Sequence, residues 1–113
     1  MPSTDLDRVF AALADPTRRT IVERLARGPA VVGTVAQGLA VGPTAVSRHL
    51  RVLEDAGIIT REVHHRHHVL RLRGDGLERP QQWIGDLREF WSQNIDRLVE
   101  TVEGLPDTGD DVG

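Results

Sequence analysis

Apolar residues along the first third of the chain fall at helical spacing. Behind the cap-type residues of STDLDRVFAALAD, Leu6, Val9, Phe10 and Leu13 share one face, which predicts a first helix over about residues 4–14. DPTRRTIVERLARG predicts a second, with Asp15 as N-cap, Pro16 at the first helical position and Gly28 as the stop. Its apolar stripe is Ile21, Val22 and Leu25. VVGTVAQGLAV predicts a short piece over about 32–38 with Val35 and Leu39 facing inward; its glycines make it a weak helix that needs tertiary support. GPTAVSRHLRVLEDAG is a stronger signal: Gly42 caps, Pro43 opens, Gly57 ends, and Val46, Leu50 and Leu53 form the buried face.

The period then changes. IITREV and HVLRLR are two β-type runs joined by a polar tip, which predicts a hairpin with Ile59, Val63, Val69 and Leu72 available for packing. GDG at 74–76 breaks it. From about Arg79 a long helix follows, with Pro80 early and Trp83, Leu87, Phe90, Trp91, Ile95, Leu98 and Val102 stepping by three or four. Gly104 and Pro106 end it. Residues 1–103 thus read as one mainly α (α+β) domain, about five helices plus a two-stranded hairpin, and 104–113 as an acidic disordered tail.

Charge distribution alters the picture more than the total does. The net charge is −3, yet residues 42–73 hold Arg48, Arg51, Arg61, Arg66, Arg71 and Arg73 against only Glu54, Asp55 and Glu62. A local basic patch of this kind is the electrostatic footprint of a nucleic-acid binder. All fourteen basic residues are arginine, whose planar fork suits phosphate. The chain has no cysteine, which excludes disulfides, a catalytic thiol and thiolate-based metal sensing. No apolar run reaches membrane-spanning length and MPSTDLDRVF does not form a secretory signal, so a cytoplasmic protein is expected.

A short helix, a tight turn and a second helix rich in small polar and basic residues describe a helix-turn-helix, and the hairpin behind it a wing. In GPTAVSRHL, Pro43, Thr44 and Ala45 allow close approach of the backbone to DNA. Ser47, Arg48, His49 and Arg51 supply hydrogen bonds to bases or phosphates, and Arg66 does so from the wing. Catalysis is not indicated. Ser47 and His49 are two apart on a helix and do not face each other, and no phosphate loop or zinc-hydrolase motif is present.

LADPTRRTIVERLARG, TAVSRHLRVLEDAGII and WIGDLREFW occur in that order, and together they resemble the ArsR-type winged helix-turn-helix regulators of bacteria. The resemblance covers about residues 6–103. It implies a homodimer built from the first and last helices, a palindromic double-stranded DNA operator in a promoter, and repression of the adjacent gene. It also implies an effector that weakens DNA binding: a metal, a small molecule or a partner protein. Phe10, Leu13, Trp83, Leu87, Phe90, Trp91, Ile95 and Leu98 are the expected dimer contacts, since two tryptophans and a phenylalanine within nine residues exceed the needs of one small core. The chain departs from the metal-sensing members: PAVVGTVAQGL lacks their cysteine pair, and residues 79–103 hold no histidine.

HHRHH, residues 64–68, leaves three readings open: a polar wing tip on DNA, a divalent-metal site, or a solvated loop. If pairing is symmetric about Arg66, His64 lies across from His68 and His65 from His67, and Glu62, His64 and His68 share one face. One carboxylate and two imidazoles suit nickel, zinc or cobalt, with Glu62, His64, His65, His67 and His68 as the available ligands. The function expected is a DNA-binding regulator, with metal response through the wing as an added feature. The alternative is a winged-helix protein-interaction module.

Overall fold

The computed structural model describes residues 5–106. The chain divides into two compact units, residues 1–80 and 81–113. The acidic-tail expectation for 104–113 falls almost wholly on residues 107–113, outside the described residues.

The first unit holds helices α1 (Asp5–Leu13), α2 (Pro16–Leu25), α3 (Val32–Ala36) and α4 (Pro43–Asp55), with strands β1 (Ala30–Val31), β2 (Ile59–His64) and β3 (His67–Leu72). A last helix, α5 (Glu78–Glu103), begins at its end and makes up most of the second unit. The expected two-stranded hairpin is part of a three-stranded antiparallel sheet, order β1-β3-β2. The added strand pairs Ala30 with Leu70 and Val31 with Val69. Two residues are too few to show alternation, so periodicity could not reveal it.

Local signals decide most boundaries. Asp15 accepts hydrogen bonds from the backbone N–H groups of Thr17 (2.8 Å) and Arg18 (3.1 Å), capping α2. The first turn of α2 caps α1 in return. Arg18 Nε donates to Ala12 O (2.6 Å) and Arg19 Nη1 to Leu13 O (2.8 Å), satisfying carbonyls that α1 itself leaves open. The weak α3 receives its tertiary support from Arg24, whose Nη1 donates to Val35 O (2.6 Å) and to Gln37 O.

The end of α4 is a Schellman turn. Gly57, at φ 76°, places its N–H on Glu54 O (3.0 Å), and Ile58 N–H reaches Leu53 O (3.0 Å). Leu53 and Ile58 are both fully buried and provide the apolar contact of that motif. The turn feeds the chain directly into β2.

Val9, Ile21, Leu25, Val35, Val46, Leu50, Leu53, Ile59 and Leu70 meet in one core. Each large aliphatic side chain buried there contributes about 1.5–3 kcal/mol. Val63 does not join them. It lies 60% exposed because the distal half of the hairpin projects beyond the helices.

Candidate nucleic-acid interface

α3 and α4 are joined by the short connection 37–42, with α4 lying against α1, α2 and β2. Val46, Leu50 and Leu53 turn one face of α4 into the core. That fixes the opposite face: Pro43, Thr44, Ser47, Arg48 and Arg51 are all exposed. Ala45 is half-buried. No side chain caps the start of α4 at Gly42, so its first-turn amides are open to an anion.

His49 departs from its expected place on the DNA face. It stands three residues after Val46 and four before Leu53, beside the buried stripe, and is half-buried. Its Nδ1 lies 3.2 Å from Arg18 Nη1. Arg18 also holds the N-cap Asp15 through its backbone N–H, the main reason why the Asp15 carboxyl sits below the usual carboxylate range. Burial opposes that shift. The Thr17 amide and the nearby His49 and Arg18 side chains reinforce it.

The six arginines of the basic stretch separate into two sets. Arg61 pairs with Glu54 (2.7 Å), Arg71 with Glu62 (3.8 Å) and Arg73 with Asp75 (3.2 Å). Among the described residues Arg48, Arg51 and Arg66 enter no ion pair, and all three are exposed. Within this stretch, the arginines without an ion-pair partner are therefore those on the outer face of α4 and at the tip of the wing. Arg18, Arg24 and Arg61 are structural clamps; the sequence pattern singled out neither of the first two, and counted Arg61 only as part of the basic stretch. The one signal in sequence was their position near helix ends and strand starts.

The wing corrects the pairing expected for HHRHH. The register is Glu62 with Val69, Val63 with His68 and His64 with His67. The turn is therefore two residues, His65 and Arg66, with His65 at φ 58°. A histidine tolerates that left-handed conformation better than most residues, and the tighter turn shifts the pairing by one. Glu62, His64 and His67 share the outer face, where His64 Nε2 lies 3.1 Å from Glu62 Oε2. His68 lies on the other face, 3.4 Å from Arg61 Nη1. The expected Glu62, His64 and His68 face does not form, and His65 stands apart in the turn. Among the described residues no three His, Asp or Glu side chains come together as a metal-ion site.

On α5, Trp83, Ile84, Leu87, Phe90, Trp91, Ile95, Leu98, Val99 and Val102 are between 40% and 66% exposed, an apolar face over the whole helix. Phe10 and Leu13 on α1 are half-buried. Among the described residues no helix is long and apolar enough to cross a membrane.

Comparison with known proteins agrees with this geometry. A helix-turn-helix domain family matches residues 13–62. The chain is 39% identical over 101 residues to the HTH-type transcriptional regulator Rv2034 of Mycobacterium tuberculosis, covering 89% of this chain and 92% of that protein. It is similar to the crystal structure of the ArsR family transcriptional regulator RHA00566, with TM-score 0.74 and 31% identity over 79% of this chain and 98% of that one. The fold also matches a homodimeric winged helix-turn-helix DNA-binding domain from Mycobacterium bovis, with TM-score 0.61 and 22% identity over 80% and 82% of the two chains.

Proposed function

This chain belongs to the ArsR family of winged helix-turn-helix transcriptional regulators, and from that premise we propose how it holds DNA. α4 enters the major groove. Thr44 and Ser47 approach the backbone and base edges, Arg48 takes a guanine edge, and Arg51 takes a phosphate. Pro43 and Ala45 keep the start of the helix slim enough for its amides to reach a phosphate. The wing lies along the neighbouring backbone or minor groove through Arg66. The protein acts in the cytoplasm as a repressor, has no catalytic role, and uses residues 1–103 as one DNA-binding and dimerisation domain.

The observation that carries this reading is the sorting of the arginines. Of the six in the basic stretch, three are paired with carboxylates of this chain, while the three left unpaired are those that the helix-turn-helix and wing would place against DNA.

The apolar face of α5 supports a homodimer, in which Trp83, Leu87, Phe90, Trp91, Ile95 and Leu98, with Phe10 and Leu13 of α1, are covered by a second copy. An exposed apolar face of this length is costly in water, and a two-fold partner buries it. Two-fold symmetry in turn selects a palindromic operator with half-sites about one helical turn apart.

The test is the salt dependence of binding to a labelled duplex enriched from a random-sequence library with this protein. Several neutralised phosphates give a steep linear fall of log affinity with log salt, and each lost phosphate contact lowers the slope by about one. Arg51→Ala and Arg66→Ala should each lower it. A flat slope for the parent protein would leave the winged-helix fold serving a protein partner instead.

A further inference from the structure

We propose that His49 is a positioning residue for the DNA-reading helix, held by Arg18 in the tautomer whose proton is on Nε2, so that the pair couples the end of α1 to α4. The proposal rests on α4 being the DNA-reading helix.

The chemistry follows from what arginine lacks. A guanidinium has five donors, no acceptor and no neutral form at accessible pH. Nη1 of Arg18 lies 3.2 Å from Nδ1 of His49. At that distance Arg18 donates, so Nδ1 must present its lone pair and the imidazole proton must sit on Nε2. A second proton on Nδ1 would remove the acceptor and set two cations against each other.

Arg18 is not free to adapt. Its Nε donates to Ala12 O (2.6 Å) and its Nη2 to Ala11 O (3.2 Å), both in the last turn of α1. Its backbone N–H is held by Asp15 at the start of α2. One arginine thus gathers the end of α1 and the flank of α4 through its guanidinium and the start of α2 through its backbone N–H. His49 is on that flank, beside Val46 and Leu53, and is half-buried, whereas Ser47, Arg48 and Arg51 are exposed.

The mechanical consequence concerns direction. A displacement of the α1 end carries Arg18 with it, and the bond to Nδ1 passes that displacement to the second turn of α4. An ångström there re-aims Arg48 and Arg51. His49 therefore acts on DNA through Arg18 and the helix axis, without a contact of its own.

The first experiment needs no DNA. Long-range ¹H–¹⁵N spectra of the ¹⁵N-labelled protein at neutral pH should show His49 with a bare Nδ1 and a protonated Nε2. A proton on Nδ1 overturns the proposal. The second compares His49→Asn, whose amide keeps an acceptor where Nδ1 stands, with His49→Ala on the library-enriched duplex. His49→Ala should lose about tenfold in affinity or more, as expected for removing a hydrogen bond to a charged group, and His49→Asn should recover most of it. Equal affinity in the two variants, with both still folded by circular dichroism, overturns the positioning role. Failure of the parent protein to bind any duplex would instead overturn the reading of α4, an outcome the tautomer measurement distinguishes.

Discussion

Arg61 Nη2 donates to Glu54 Oε1 at 2.7 Å, joining the first strand of the wing to the last turn of α4. Both side chains are about 30% exposed, so the pair is neither fully screened nor fully desolvated. It bridges the two elements proposed to touch DNA. A double-mutant cycle with Glu54→Gln and Arg61→Gln should give a coupling of about 0.5–1 kcal/mol in urea unfolding. Duplex affinity should fall in each single variant. A coupling indistinguishable from zero would show that the wing is held by β2–β3 packing alone.

Arg48 is exposed, lacks an ion-pair partner among the described residues, and stands on the outer face of α4. Arg48→Ala should weaken binding to the enriched duplex by about 1–3 kcal/mol and relax the preference at one base pair per half-site. Fluorescence anisotropy on that duplex and its single-base variants measures both. Uniform weakening across all variants would reassign Arg48 to a phosphate.

Trp91 is 62% exposed in the middle of the α5 face. Trp91→Glu should turn the dimer into a monomer in sedimentation velocity and abolish duplex binding with it, because one half-site alone binds weakly. A variant that remains dimeric would place the interface elsewhere.

Gly76 has no room for a side chain. A Cβ built there would come within 2.6 Å of Gly57 O and 3.0 Å of Ile58 Cα, both backbone atoms at the end of the Schellman turn. Gly76→Ala should destabilise the protein by about 1–3 kcal/mol, the usual range for overpacking, seen as a lower urea midpoint. Gly33→Ala, where a Cβ would meet nothing within 4 Å, is the control.

Asp15 has its carboxyl pKa lowered by the Arg18 amide. A folded-state pKa below the unfolded value stabilises the protein above the ordinary carboxylate range, and the stabilisation is lost as pH falls through the folded value. Asp15→Ala should therefore lower Tm at neutral pH, with the gap to the parent closing in acid. A gap that stays constant down to pH 2 would mean that the cap acts through shape and not through charge.

Much of this protein was legible before any coordinates. Pro16 behind Asp15, Pro43 behind Gly42, Gly57 after α4 and the apolar stripes are local codes, because capping and amphipathic burial depend on residues three or four apart. They placed α4 at about 43–56 against an observed Pro43–Asp55. The end of α2 was less sharp: it closes at Leu25 ahead of the expected Gly28, since a glycine marks where a helix cannot continue and not where it stops.

Only the tertiary structure decided the rest. Whether the HHRHH turn spans two residues or three is set by the backbone at His65 and by the pairing of β3 with both neighbours, and that single step moved His68 away from Glu62 and brought His67 to it. Which arginines stay unpaired depends on carboxylates that approach from other strands and turns. His49 reads as one more polar residue on a basic helix until α1 and α2 bring Arg18 to its Nδ1 across 31 positions of sequence. Helical periodicity is a property of neighbours along the chain, whereas the partner of a charge is a property of neighbours in space.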